Sequence, residues 1–422
     1  TDVLTDRAID FIRQNKDQPF FCYVPYNAPH SPWIVPEKYW DKYADKGLDD
    51  KARCAYAMVD CVDENLGRLM QTLDDLKLTD NTIVLFLTDN GPNSDRYNGN
   101  MRGRKGSIHE GGIRVPLFVR YPGKIEAGTV VKPIAAHIDI LPTLLELCSV
   151  ENTSDQPLDG TSLVPLLTNK SHKDWPQRTL FSDRLFRNSI PDAELPHGSV
   201  RTDRWRAAYE RGKWSLYDMQ VDPSQKQNVA KAHPAVMNEL SAAYKDWFQD
   251  VSQAGFEPIP IPVGHPREKF TSLPANESFL SPEAGQGINY SGKGHNGYAN
   301  SWIEDWTDPQ ASAVWHLDVL QPGTYEVTLK YTCRAEDIGC EVQAQINGQT
   351  LNATISEPHD PPKIGNQDRV EQSDNYMSKD WAKIKLGSVT LKQGTCELTL
   401  TGVKKTGSEL LDVKGFELKR VQ

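Results

Sequence analysis

Apolar residues divide the chain into a first part where helices alternate with short strands and a last part made of strands. Leu4, Ala8, Phe11 and Ile12 recur at helical spacing and predict a helix over 3–15, with Asp2 as its cap. The apolar run from Pro19 to Pro25 predicts a buried strand. Ala55, Met58, Val59, Val62, Leu66, Leu69, Leu73 and Leu76 mark one face of a long helix over 49–76. Short runs at 82–88 and 115–121 predict two more strands, and 137–147 predicts a helix started by Asp139. This alternation predicts an α/β fold with a largely parallel sheet flanked by helices over 1–178. A small α+β subdomain follows over 179–254, with paired strands at 200–209 and 214–218 and an amphipathic helix at 234–248.

The texture then changes twice. Residues 255–285 hold many prolines and little periodicity, and predict an extended linker. Over 286–422 the pattern alternates with period two. Asn347-Gly348 joins two such runs as a hairpin turn, which predicts an antiparallel β-sandwich or jelly roll.

Composition narrows the function. The chain has 422 residues, of which 38% are hydrophobic and 25% charged, as in an ordinary multidomain globular chain. No apolar run approaches the roughly 20 residues of a membrane span. The net charge of −10 argues against general nucleic-acid binding, and any anion site must be a local cationic pocket. There are seven cysteines. On one helix Cys54 and Cys61 are separated by roughly 10 Å, too far to bridge, whereas Cys333 and Cys340 flank a polar loop and can pair.

Candidate chemistry gathers behind the strand at 82–88. Asp89 and Asn90 sit at its C-terminal end, where α/β sheets bind ligands, and Gly91 breaks the strand. A carboxylate beside a carboxamide supplies hard oxygen ligands for calcium or magnesium. The glycine-rich loop that follows carries Arg102, Arg104 and Lys105, suited to an anion. His30 stands among prolines after the strand at 19–25. His137 and Asp139 read as structural. Trp302 and Trp306 read as core or interface residues rather than as platforms for sugar rings.

Thr88-Asp-Asn-Gly91, together with Gly103-Arg-Lys-Gly106 and Glu110-Gly-Gly-Ile-Arg-Val-Pro116, resembles the later part of the sulfatase signature. The resemblance covers roughly 1–251, and 286–422 resembles sandwich modules appended to some bacterial sulfatases. It implies that Asp89 and Asn90 are calcium ligands, that Lys105 contacts the sulfate ester, and that His30 meets the ester oxygen. Asp183, Arg184 and His197, on the subdomain that borders the cleft in that family, are candidates for contacting the substrate's sugar. No Cys or Ser in the chain is followed by the x-Pro-x-Arg that marks the family's formylglycine nucleophile. The resemblance therefore implies a calcium-assisted sulfuric ester hydrolase acting on a sulfated carbohydrate, in the bacterial periplasm or outside the cell. Its nucleophile is expected on an N-terminal segment absent from these 422 residues, which alone are expected to be inactive. Two alternatives stay open: a phosphatase or phosphodiesterase of the same superfamily, and a non-catalytic carbohydrate-binding protein with a degenerate sulfatase domain.

Overall fold

Helix α1 (Asp2–Asn15) buries Thr5, Ala8, Ile9 and Ile12 along one stripe, while Leu4 and Phe11 stay exposed. The computed structural model describes residues 1–94, 96–168, 175–184, 195–292, 300–365, 368–371 and 377–421. The four-residue helix α2 (Glu37–Trp40) and the 26-residue helix α3 (Asp50–Asp75) follow in chain order. Asp49 caps α3, its Oδ1 accepting the Ala52 N–H at 2.9 Å. Ala55, Met58, Val62 and Leu73 are buried on α3 as its spacing predicts, but Val59 is 48% exposed.

The chain forms two compact units. The first comprises 1–28 and 59–256. Here α1 is tied to α3 by Asn65 Nδ2 donating to Asp2 Oδ1 at 2.7 Å and by an Arg68–Asp6 ion pair. Strand β1 (Val84–Leu87) pairs antiparallel with β2 (Leu117–Arg120), and between them lies only the single-turn helix α4 (Glu110–Ile113). Helices α5 (Ile140–Cys148) and α6 (Val164–Thr168) come next. Strands β3 (Leu180–Arg184), β4 (His197–Arg201), β5 (Trp205–Glu210) and β6 (Lys213–Asp218) make an antiparallel sheet. Helix α7 (Pro234–Val251) buries Leu240 and Tyr244 with Val200, Ala207 and Leu216 of that sheet.

The largely parallel sheet expected over 1–178 is corrected by this structure. Among the described residues of this part β1 and β2 pair only with each other, and they do so antiparallel. The run from Pro19 to Pro25 forms no ladder with any described residue. Its two prolines remove N–H donors, and Phe21 and Tyr23 are 76% and 77% exposed.

The second unit comprises 29–58 and 257 onward. The expected linker at 255–285 is also corrected, because it supplies three strands: β7 (Ile261–Val263), β8 (Thr271–Pro274) and β9 (Phe279–Ser281). Val263 and Leu273 are fully buried, so these short strands contribute to the core, and their prolines take strand positions compatible with a missing donor. Then come β10 (Asn289–Tyr290), β11 (Ile303–Glu304), β12 (Ser312–Val319), β13 (Gly323–Thr332), β14 (Glu341–Ile346), β15 (Gln349–Thr354), β16 (Ala382–Leu391), β17 (Gly394–Lys404) and β18 (Asp412–Arg420).

One sheet runs β10-β11-β18-β13-β16 with β8 on β18, and the other β15-β14-β17-β12-β7 with β9 on β12. Among the described strands of the two sheets every pairing is antiparallel except β7 with β12. Both sheets feed one hydrophobic core, where Trp315 meets Phe416 edge-on at 5.2 Å. Asn347 and Gly348 both take positive φ, as the turn between β14 and β15 requires. Trp302 and Trp306 are buried, in keeping with a core role. In the same unit Arg53 and Arg369 both lie over the Trp40 ring, and Arg369 Nη1 donates to Val35 O at 2.9 Å.

Candidate active site

Asp89 and Asn90 leave the end of β1 as a tight turn in which the Asn90 N–H donates to Asp89 Oδ1 at 2.8 Å. His137 fastens the same strand end, its Nε2–H donating to Thr88 O at 2.9 Å. The neighbouring Asp139 is fully buried and receives Arg178 through both oxygens, each at 2.8 Å, so it is structural as expected.

The basic loop folds back onto this turn. Gly91 N donates to Gly112 O at 2.9 Å and Lys105 N donates to Pro92 O at 2.8 Å. Only glycine permits the approach: a β-carbon on Gly91 would stand 1.9 Å from Gly111 O, and one on Gly112 would stand 2.1 Å from Ser107 O. Backbone contacts therefore bring the Asp89-Asn90 turn and the Lys105 loop together.

The far side of the loop is docked on the four-stranded sheet by buried polar contacts. Arg102 Nη1 donates to the Tyr217 hydroxyl at 2.6 Å. Arg206 Nη2 donates to Glu110 Oε2 at 2.6 Å, and its Nη1 reaches Ile108 O and Ser199 Oγ, each at 3.0 Å. Gln225 Oε1 accepts the Glu110 N–H at 2.9 Å, which turns its amide nitrogen toward His109 Nδ1 at 3.0 Å. His109 Nδ1 thus accepts, and Nε2–H donates to Glu210 at 3.1 Å. Burial, joined by the charge of Arg102, holds the His109 pKa below the usual imidazole value, against the opposing pull of Glu210. The roles of His109, Glu110, Arg206 and Gln225 were not anticipated. The Glu110-Gly-Gly motif was the available signal, but its partners lie about a hundred positions downstream.

The subdomain candidates meet at the β3–β4 end. Arg184 stands opposite His197 in the ladder, and Asp183 opposite Gly198. Arg184 also faces the basic loop, since a β-carbon on Gly106 would lie 3.6 Å from its Nη2. Burial raises the Asp183 pKa. His197 Nε2 accepts the Arg211 N–H at 3.2 Å, so that nitrogen is engaged in holding the β5–β6 turn. His30 belongs to the second unit. Its Nδ1–H donates to Ser31 O at 2.8 Å.

Among the described residues no three His, Cys, Asp or Glu side chains assemble as a metal site. Asp89 and Asn90 fit a hard cation as two oxygen ligands, a minority of the roughly six to eight that calcium takes.

Residues 1–150 match the family model described as Sulfatase, and residues 104–253 match that of N-sulphoglucosamine sulphohydrolase, C-terminal. Residues 1–253 belong to the sulfatase family. It is 32% identical over 290 residues to the uncharacterized sulfatase YdeN of Escherichia coli, covering 60% of this chain and 51% of that protein. It is 31% identical over 263 residues to an N-acetylgalactosamine-6-O-sulfatase of Bacteroides thetaiotaomicron, covering 57% and 49%. This sulfatase chain thus spans about half the length of the curated relatives it matches. Among solved structures it is similar to Ps i-CgsB, with a TM-score of 0.54 and 27% identity, over 59% of this chain and 55% of that one. No helix among the described residues is long and apolar enough to cross a membrane.

Proposed function

We propose that this chain is part of a calcium-assisted sulfuric ester hydrolase that removes sulfate from a sulfated carbohydrate. The observation that carries the proposal is the backbone stitching of the Asp89-Asn90 turn to the Lys105 loop, with Arg184 at the loop's crest. The backbone that carries two oxygen ligands is thereby joined to the backbone that carries Lys105, an arrangement that suits a divalent cation beside a sulfate group. The curated relative that acts on N-acetylgalactosamine 6-O-sulfate supports a sugar substrate.

In this reading Asp89 and Asn90 hold the cation, which supplies charge to polarise the sulfuryl oxygens. Lys105 offsets the negative charge that grows on those oxygens. His30, whose Nδ1 is engaged by Ser31 O, is the candidate for the ester oxygen by family resemblance alone. Arg184 and Asp183 bind the sugar or its other substituents, and the His197 ring braces them.

The nucleophile, a formylglycine by family resemblance, is supplied by polypeptide outside these 422 residues. The exposure of Phe118 on β2 supports this part, since a two-stranded ladder with an apolar residue in water calls for further strands, and so does that of Phe21 and Tyr23 on the unladdered run at 19–25. A periplasmic or extracellular setting is the one in which sulfated polysaccharides are met.

The test is turnover of sulfated saccharides, with and without a co-expressed polypeptide bearing Cys/Ser-x-Pro-x-Arg. Calcium-dependent activity only in the combined preparation is expected. Robust turnover by residues 1–422 alone would overturn the proposed source of the nucleophile. Two bound zinc ions in the combined preparation would turn the reading to a phosphatase or phosphodiesterase.

A further inference from the structure

Cys333 and Cys340 bracket the connection from β13 to β14 in the second unit, and both are buried, 2% and 0% exposed. The backbone on each side is fixed. Cys333 exchanges a pair of backbone hydrogen bonds with His359, at 2.8 and 2.9 Å. Cys340 N donates to Asp337 O at 3.2 Å, and Cys340 O accepts from Ile355 N at 3.0 Å. The intervening turn is pinned through the buried Asp337, which receives Arg334 Nε and the Glu409 N–H, each at 3.0 Å. Thr406 Oγ1 donates to the Asp337 carbonyl at 2.8 Å.

Both side chains are buried in the same hydrophobic core cluster and act on each other there, with Cys333 Sγ 3.5 Å from Arg334 O and 3.9 Å from Leu410 O. The remaining cysteines are single thiols in other settings, such as the exposed Cys148.

We propose that Cys333 and Cys340 are a disulfide-forming pair that staples the β13–β14 connection when the chain matures in an oxidising compartment. The oxidant is a small-molecule disulfide or a disulfide oxidoreductase. The Cys333 thiolate attacks one sulfur of that disulfide and expels the other as a thiolate. The Cys340 sulfur then attacks the mixed disulfide at Cys333, giving its proton to the departing sulfur. Two protein thiols and one external disulfide become one protein disulfide and two external thiols. Exchange happens while the unit is still folding, because both sulfurs are enclosed afterwards. This inference does not rest on the sulfatase reading.

Trypsin makes the test direct, since cleavage after Lys330, Arg334 and Lys363 places the two cysteines on different peptides. The full chain, folded in the presence of oxidised glutathione, is denatured in iodoacetamide without reductant and digested. The expected product is peptide 331–334 joined to peptide 335–363, two hydrogens lighter than their sum, with Cys148 alkylated. Separate alkylated peptides, or a link from either cysteine to any other, would overturn the proposal. As a second readout, reductant should lower the melting temperature of the oxidised chain by about 5 °C. The Cys333→Ser/Cys340→Ser variant should not respond to reductant, and if it fails to fold, the peptide map of the unaltered chain decides.

Discussion

Glu110 and Arg206 meet at 2.6 Å with both side chains almost wholly buried, and the pair holds the basic loop against the four-stranded sheet. Arg201 adds a second cation 3.7 Å from the same carboxylate oxygen. A buried ion pair adds little net stability over an apolar replacement, but removing one partner strands the other charge. Glu110→Ala is therefore expected to destabilise the first unit by about 3–5 kcal/mol, read as a lower urea midpoint. Combining it with Arg206→Met should recover part of that loss. A double variant no more stable than Glu110→Ala would show that the pair is not the element holding the loop.

His109 gives the same junction a pH dependence. In its neutral form Nδ1 accepts from Gln225 and Nε2 donates to Glu210, so both nitrogens are used. A proton on Nδ1 would face the Gln225 amide donor, in a buried place, beside the charge of Arg102. The folded pKa is accordingly depressed below the ordinary value of about 6.5. In the window below that value the unfolded chain binds a proton that the folded chain refuses. Stability is full above the unfolded pKa and falls as pH drops toward the folded one. Urea midpoints measured between about pH 7 and pH 5 should decline, and His109→Gln should flatten the decline.

Gly91 tests whether the two halves of the site depend on their close approach. A methyl group there would stand 1.9 Å from Gly111 O and 3.1 Å from Gly112 Cα, all of it backbone, so no side chain can swing away to relieve it. Gly91→Ala should cost about 1–3 kcal/mol or more and push the Lys105 loop from the Asp89 turn. The check is protease sensitivity around 102–107 together with the urea midpoint. An unchanged midpoint and an unchanged cleavage pattern would contradict the stitched arrangement.

Local pattern made much of this legible in advance. The α3 stripe, the Asn347-Gly348 hairpin and the Asp89-Asn90 strand end all depend on neighbours within a few residues, whereas Asp2, expected as the cap of α1, lies inside it behind Thr1. What escaped notice depends on partners far away. The run from Pro19 to Pro25 has a strand's composition but no described partner in a ladder, and composition does not reveal whether one exists. The prolines of 255–285 suggested a linker, yet Val263 and Leu273 bury themselves among strands that come later in the chain. The grouping of 29–58 with 257 onward rests on contacts such as Arg369 with Val35, which no period in the sequence encodes. Glu110 and Arg206, ninety-six positions apart, belong to the same class.

Lys105 and Arg184 divide the proposed work at the loop's crest, and kinetics on the combined preparation should separate them. Lys105 projects from the turn that the Pro92 carbonyl holds, and its role is to meet charge that develops as the ester bond breaks. Lys105→Ala should lower kcat by roughly 10²–10³-fold with a smaller change in KM, as for loss of one preorganised cation or donor. Arg184 stands at Gly106, one residue further on, and is assigned to substrate rather than to the reacting group. Arg184→Ala should therefore raise KM for sulfated sugars while leaving kcat nearly intact, because it removes binding present before and during the reaction. A small aryl sulfate, lacking the sugar, should be insensitive to Arg184→Ala yet fully sensitive to Lys105→Ala. Equal losses in kcat for both variants on both substrates would assign both cations to the reacting group and remove Arg184 from the sugar site.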